Sequence, residues 1–169
     1  MGIFSAAKPE SLMDLLHHNL KDLYDAELKV LETLTEMIAA ASNDDLKAGL
    51  EQHRTETEGQ VKRLEECFKE MDMEPERQAR AGIDGIIKEG NKMLAEAKDD
   101  PALTDVCIIE ASQKVEHYEI ASYGTAKAMA IELGETAVAE LLDATLKEEF
   151  KTDEKLTDIA TKDVNPAAK

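Results

Sequence analysis

Glycine and proline are rare in this chain, and their positions constrain the fold more than any other feature. Neither occurs between Pro9 and Gly49, and five of the later ones are crowded into residues 75 to 101. The remaining stretches are rich in Ala, Leu, Glu, Lys and Met, the residues that lose least freedom on entering a helix. Aromatic residues make up only 4% of the chain. The sequence therefore predicts an all-α fold.

Local signals mark where individual helices begin. Ser11 stands three residues before Asp14, which is the spacing of a capping box. Asn43 precedes two aspartates and is typical of a helix cap, and Asp100 followed by Pro101 is a strong helix start. The predicted long helices span about residues 12–41, 44–71, 101–132 and 135–163, a short helix spans 83–98, and frayed tails flank a core of about 11–163.

The connections between these helices predict the topology. Turns of two or three residues join the first helix to the second and the third to the fourth, so each pair forms an antiparallel hairpin. About 29 residues separate the second helix from the third, enough to run back along a bundle. We therefore expect a single domain, a four-helix bundle of two hairpins whose long crossover carries the short helix.

Charge and hydropathy exclude several classes of partner. The net charge of −17 argues against binding to nucleic acid or to an anionic membrane, since both require a basic face. The opening segment MGIFSAAKPE lacks the charged and apolar regions of a signal peptide, and no run approaches the ~18 apolar residues that span a bilayer. These features predict a cytoplasmic protein without nucleic-acid or membrane partners.

Each predicted long helix carries a glutamate in or beside the apolar stripe that should face the core. On the second helix this position is shared between Glu56 and Thr57. The candidates lie 14 to 18 residues from the nearest interhelical turn, or roughly 20–27 Å along a helix. They are Glu27, Glu56, Glu116, Glu119 and Glu149. The sequence therefore predicts a single layer of acids in the middle of the bundle.

Such a layer needs compensation. Two like charges 4 Å apart repel by roughly 4 kcal/mol at an effective dielectric constant of 20. The acids must then be mostly protonated, hydrated or neutralised by cations. Hard oxygen ligands favour iron and manganese, and glutamates from four helices facing a bundle core are typical of di-iron and di-manganese proteins. The alternative is a layer of neutral acids hydrogen-bonded to Tyr24, His53 or Tyr123.

One segment carries a family resemblance. Residues 114–125, KVEHYEIASYGT, resemble the third-helix signature of the YciE/YciF bacterial stress-protein family, a branch of the ferritin-like superfamily. The segments at residues 24–27, 53–60 and 148–153 fit the same family, and the resemblance covers about residues 11–165. It implies a ferritin-like bundle, a homodimer and a role in bacterial stress responses, but no defined enzymatic activity.

The resemblance also implies a set of metal ligands. Catalytic members of the superfamily carry Glu-x-x-His on the second and fourth helices, whereas here Gly59 and Thr152 occupy the histidine positions. His53, one turn before Glu56, is the candidate replacement. The implied ligands are Glu27, His53, Glu56, Glu116, Glu119 and Glu149, with Asp153, Gln60, Gln113 and Tyr24 as additional or supporting groups. Iron, as a di-iron site, is the expected metal, with manganese or another divalent ion as the alternative.

Three functions are consistent with this reasoning. The first is a metalloprotein that acts on oxygen or peroxide or simply holds the ion. The second is a non-catalytic structural or interaction dimer, and the third is iron storage in a multimeric cage. The roles of His17, His18 and His117 stay open at this stage.

Overall fold

Every element of secondary structure in the described part of the chain is helical. The computed structural model describes residues 8–169, so the opening segment and most of the predicted N-terminal tail lie outside the described residues. The elements are α1 (Leu12–Ala40), α2 (Asp44–Glu70), α3 (Ala81–Ala97), α4 (Pro101–Leu133), α5 (Thr136–Ile159), a π-helical turn (Ala160–Val164) and α6 (Asn165–Ala167). None of the helices in this region is long and apolar enough to span a membrane. The predicted all-α fold is confirmed.

The predicted helix starts are confirmed by their caps. The Ser11 hydroxyl accepts a hydrogen bond from the Asp14 amide at 3.0 Å, and the Asp14 carboxylate accepts one from the Ser11 amide, also at 3.0 Å. The side chains of Asn43 and Asp100 accept hydrogen bonds from backbone amides in the first turns of α2 and α4, respectively. Gly134 ends α4 with φ of 79°, a left-handed conformation that glycine adopts without steric cost.

The four long helices form a ring in which every neighbouring pair is antiparallel. Short turns impose this on α1–α2 and on α4–α5. At the end of α1, the Ser42 hydroxyl donates to Asp105 in the first turns of α4 at 2.6 Å. Gln52, early in α2, accepts from Lys155, late in α5, at 2.8 Å. These contacts confirm a four-helix bundle of two antiparallel hairpins.

The crossover between α2 and α4 is anchored to the bundle. Arg77 in this segment donates to the buried carboxylate of Asp25 on α1 at 2.8 Å. Helix α3 then runs antiparallel to α4 and is joined to it by the Lys114–Glu89 ion pair at 2.5 Å. The crossover therefore returns along the bundle and carries the additional helix, as predicted.

The interior of the bundle is divided into two apolar clusters. The upper cluster, at the end where α1 meets α2, includes Val30, Leu34, Met37, Leu46, Leu50, Ile108, Val115, Leu156 and Ile159. The lower cluster, at the opposite end, includes Leu16, Leu20, Leu23, Leu64, Phe68, Tyr123, Val138 and Leu142. Buried polar residues lie between the two clusters. The core is therefore interrupted at mid-height rather than continuous.

The C-terminal end differs from the frayed tail that the sequence suggested. After Ile159 the backbone passes through a single π-helical turn and remains helical to Ala167. Val164 is buried and, with Ala160, packs into the upper cluster. These apolar contacts explain why the segment stays ordered although Pro166 follows closely.

Two glycines on α3 provide a matched test of its packing on α4. A Cβ at Gly90 would lie 3.0 Å from the Ala111 Cβ, whereas a Cβ at Gly85 would have nothing within 4 Å. We expect Gly85→Ala to raise the free energy of unfolding by about 0.5–1 kcal/mol through helix propensity. Gly90→Ala should lower it by about 1 kcal/mol or more because α3 must move away from α4. Urea denaturation of both variants measures the difference, and equal stabilisation would contradict the close approach.

Candidate metal centre

The layer between the two apolar clusters contains four carboxylates and one imidazole. These five side chains form the carboxylate–histidine cluster: Glu27 from α1, His53 from α2, Glu116 and Glu119 from α4, and Glu149 from α5. None of the five residues is more than 3% exposed. Each stands at a helical position that faces the bundle axis, so the predicted acidic layer lies inside the protein.

The centre of the cluster lies between α2, α4 and α5. The Nε2 atom of His53 is 3.1 Å from Oε1 of Glu116. One ligand atom from each of His53, Glu116 and Glu149 can be chosen so that all three lie within 4.8 Å of one another. Neither oxygen of Glu116 has a hydrogen-bond donor, because the close His53 contact lacks hydrogen-bond geometry. Three potential ligand groups thus meet at one point.

Two neighbouring side chains each bind one oxygen of a cluster glutamate and leave the other free. The Tyr123 hydroxyl donates to Oε1 of Glu27, and the Gln60 amide donates to Oε1 of Glu149 at 2.5 Å. The Oε2 atoms of both glutamates are buried without a hydrogen-bond partner, as are both oxygens of Glu119. Buried polar atoms normally have partners, so these free oxygens are candidate ligand atoms.

Burial raises the pKa of every carboxyl in the cluster. It raises the pKa of Glu116 to about 8, and the negative charges of Asp153 and Glu56 contribute to this shift. Burial is the main cause that raises the pKa of Glu119 well above its ordinary value, and the negative charge of Glu27 raises it further. The pKa values of Glu27 and Glu149 are raised in the same way, first by burial and then by a neighbouring carboxylate. The cluster therefore resists ionisation unless positive charge is supplied.

Protein cations do not supply that charge. Among residues 8–169, no lysine or arginine forms an ion pair with any of the four cluster carboxylates. Two ionised groups separated by at most 4.8 Å would repel by about 3 kcal/mol or more at an effective dielectric constant of 20. The buried, unpartnered oxygens and the adjacent imidazole form a donor set that fits iron or manganese.

On α2 the structure distinguishes between two residues that the sequence left open. Thr57 is buried, whereas Glu56 is half-buried and accepts a hydrogen bond from Gln52 at 2.8 Å. His53, Thr57 and Gln60 are spaced i, i+4 and i+7 on one helix face, and Glu56 lies at its edge. Glu56 is close enough to raise the pKa of Glu116, but it is not one of the groups that converge.

The other supporting candidates differ in position. Gln60 is in the layer, whereas Gln113 donates to Asp153 at 3.0 Å along the α4–α5 seam. Nε2 of His117, an exposed residue, lies 3.4 Å from the same aspartate. Tyr24 donates to Glu65 at 3.1 Å, away from the cluster. Only Gln60 of the four supporting candidates therefore contacts a cluster carboxylate directly.

One polar connection at the edge of the layer was not predicted from the sequence. Arg63 on α2 donates to the buried Thr145 hydroxyl at 2.7 Å and to Glu148 at 2.5 Å. Glu148 also accepts from Gln60 at 3.2 Å. Arg63 is thus neutralised by Glu148 next to the cluster. The apolar stripe contained Thr145, but Arg63 stands in a charged run that is typical of a solvated helix face, whereas the structure has it half-buried.

The fold and the buried cluster define a ferritin-like four-helix bundle with a carboxylate-rich interior. The chain belongs to the family described as Domain of unknown function (DUF892), whose profile matches residues 11–169. The resemblance to the YciE/YciF family that the sequence suggested is thereby confirmed.

Three comparisons place the chain among known proteins. Protein YciF of Escherichia coli K12 is 38% identical over 160 residues, covering 94% of this chain and 96% of that protein. The crystal structure of the E. coli stress protein YciF matches with a TM-score of 0.87 and 37% identity, covering 93% of this chain and 99% of the other. YcfI from Rhodopseudomonas palustris, suggested to be a structural protein, matches with a TM-score of 0.87 and 39% identity. The match covers 91% of this chain and 98% of YcfI.

The raised pKa values predict how the stability of the metal-free protein depends on pH. Because folding raises the pKa of Glu116 from 4.5 to about 8, its contribution is fully present below pH 4.5 and is lost as pH rises through about 8. The other three cluster glutamates act in the same direction. We expect the free energy of unfolding in chelator to fall by a few kcal/mol across this range.

Chemical denaturation at a series of pH values measures this effect. Glu116→Gln should flatten the profile because the amide does not ionise, whereas Glu132→Gln, on the exposed face of the same helix, should leave it unchanged. A metal-free protein that becomes more stable between pH 4.5 and pH 8 would contradict the placement of these carboxyls.

Proposed function

We propose that this protein binds one or two ions of iron or manganese at the carboxylate–histidine cluster. The observation that carries the proposal is the convergence of His53, Glu116 and Glu149 beside buried oxygens that have no hydrogen-bond donor. A divalent cation would let these carboxylates ionise at neutral pH and would remove their mutual repulsion.

The first ion fits between α2, α4 and α5. His53 and Glu116 already lie within 3.1 Å of each other, and one carboxylate oxygen of Glu149 lies within 4.8 Å of both. An imidazole with two carboxylates is a donor set that iron and manganese accept. These three residues are the primary ligands in this proposal.

A second ion fits on the α1 side of the first. Glu119 has two free oxygens, and Glu27 has one. The charges of Glu27 and Glu149 both raise the pKa of Glu119, as expected of carboxyls buried in one layer. Glu27, Glu119 and Glu149 would hold this second ion, and Glu56 stays a candidate ligand that would need to turn inward.

The surrounding side chains hold the ligands in place. The hydrogen bond from Tyr123 fixes the Glu27 carboxylate, and that from Gln60 fixes the Glu149 carboxylate. Each leaves the second oxygen available, which is how supporting groups orient metal ligands in other proteins. A bound iron ion would supply one-electron chemistry toward oxygen or peroxide. The buried position of the cluster would exclude bulk water from that chemistry.

A structural role is the second candidate function. The hydrogen bonds of Tyr123 and Gln60 also suit a layer of neutral acids, and the related YcfI is suggested to be a structural protein. In that case the bundle would serve as a scaffold, and added metal would neither bind at the cluster nor change its stability. From the relation to the E. coli stress protein YciF, we also propose that either function serves a stress response.

Metal titration of the chelator-treated protein distinguishes the two functions. We expect Fe²⁺ or Mn²⁺ to raise the melting temperature, because a ligand at 100 times its Kd stabilises the folded state by about 2.7 kcal/mol. The double variant Glu116→Gln/Glu149→Gln should bind neither ion, since it removes two of the three primary ligands. Elemental analysis after dialysis provides the stoichiometry.

The matched control is Glu132→Gln/Glu140→Gln, which removes the same two charges from exposed positions on α4 and α5. It should retain binding and stabilisation. If the cluster variant and the control take up equal metal, the ion is bound elsewhere. If the intact protein binds no metal, the structural role is favoured instead.

The assembly state tests the proposed homodimer against an iron-storage cage. We propose a dimer because the YciE/YciF resemblance implies one. Gel filtration coupled to light scattering should show two copies with or without Fe²⁺. Elution as a cage of a dozen or more copies would instead favour storage.

A further inference from the structure

A small cavity of about 20 Å³ lies against one side of the cluster, between α1, α3 and α4. His53 and Glu116 form part of its wall, and Val30, Leu34 and Val115 contribute apolar surface. A cavity needs roughly 10–15 Å³ to hold one molecule of the size of water. This one has space for a single molecule of two or three atoms next to two of the proposed metal ligands.

A second, open pocket lies on the protein surface directly outside this cavity. Thr33 on α1 and Ile87 on α3 line both of them. Lys29, Asp84 and Lys88 line the outer pocket, which is therefore polar where it meets solvent. Thr33 and Ile87 mark the boundary between a charged mouth and an apolar interior.

The polar groups in the cavity wall that lie away from the cluster are already satisfied by the protein. The Thr33 hydroxyl donates to the carbonyl oxygen of Lys29 at 2.9 Å, and the Ser112 hydroxyl donates to the Met37 sulfur at 3.6 Å. Once His53 and Glu116 hold a metal ion, a water molecule or a hydrated cation would find no further free partner in this wall and would lose most of its hydrogen bonds on entering. A neutral, apolar molecule loses none.

Ion pairs hold the outer wall in place on both sides of Ile87. Asp84 pairs with Lys29 of α1 at 2.5 Å, and Glu89 pairs with Lys114 of α4 at 2.5 Å. The helix that carries the boundary residue is therefore clamped across the seam between α1 and α4. Ile87 therefore stands between the outer pocket and the cavity on a helix that is paired with both neighbours.

We propose that this cavity is the access route by which dioxygen reaches the His53 and Glu116 side of the centre, with Ile87 as its outer wall. The inference rests on the proposed metal-binding function and identifies the small molecule that the site takes. Dioxygen matches the cavity in size, charge and lack of hydrogen-bonding groups. Metal ions must enter by another path, because the apolar lining offers no replacement for their hydration shell.

Nuclear magnetic resonance of the metal-free protein under dioxygen pressure tests the route directly. Dioxygen is paramagnetic, so it increases the relaxation rate of methyl protons that it approaches. We expect a several-fold larger increase at Val30, Leu34 and Val115 than at Leu20 and Leu142, equally buried residues of the lower cluster. No preference for the cavity methyls would overturn the proposal.

Two variants and a matched control identify the cavity as the cause. Val30→Ile adds one methylene to the cavity wall and should abolish the increase at Leu34 and Val115. Val138→Ile makes the same change in the lower cluster and should leave the increase intact. Ile87→Ala, which opens the mouth without overpacking, should enlarge it. Equal effects of the two isoleucine variants, or no effect of Ile87→Ala, would overturn the proposal.

Metal titration of Val30→Ile separates this inference from the function on which it rests. The variant should bind Fe²⁺ with unchanged affinity, because no ligand is altered. Metal binding without dioxygen in the cavity would overturn the route and leave the centre intact. Dioxygen in the cavity of a protein that binds no metal would overturn the centre, and with it the role of the cavity as a route.

Discussion

The burial of four carboxyl groups in one layer of a helical bundle is the constraint on which the rest of the structure depends. Glu27, Glu116, Glu119 and Glu149 reach this layer from three helices, and His53 completes it from the fourth. Ionised carboxylates in such surroundings are strongly disfavoured without compensation. The upper and lower apolar clusters supply the burial that holds the layer together, and the two turns keep its helices in register.

The hydrogen bonds around the layer fix some of its carboxylates but leave most of their oxygens without a donor. Tyr123 and Gln60 each bind a single oxygen of a cluster carboxylate, and Arg63, at the edge of the layer, is already paired with Glu148. Two related proteins share this fold at a TM-score of 0.87.

Most of the architecture could be predicted from the sequence because it depends on local signals. The caps at Ser11, Asn43 and Asp100 and the stop at Gly134 placed the long helices nearly as they are. The depth of the acidic layer followed from counting residues to the turns. Which side of α2 faces the axis did not follow, because Glu56 and Thr57 are adjacent and a stripe determines orientation only to within one residue. The α3 contacts and the Arg63 connection depend on tertiary packing that periodicity does not encode.

The antiparallel arrangement of all neighbouring helices affects the electric field at the centre of the bundle. Macrodipoles of adjacent helices oppose each other, and their influence fades within a turn of each helix end. The layer lies in the interior of the long helices, so backbone dipoles contribute little there. The electrostatic potential felt by a bound ion would therefore be determined almost entirely by side chains. Single substitutions at positions such as Gln60 or Tyr123 would be enough to retune it while the backbone stays unchanged.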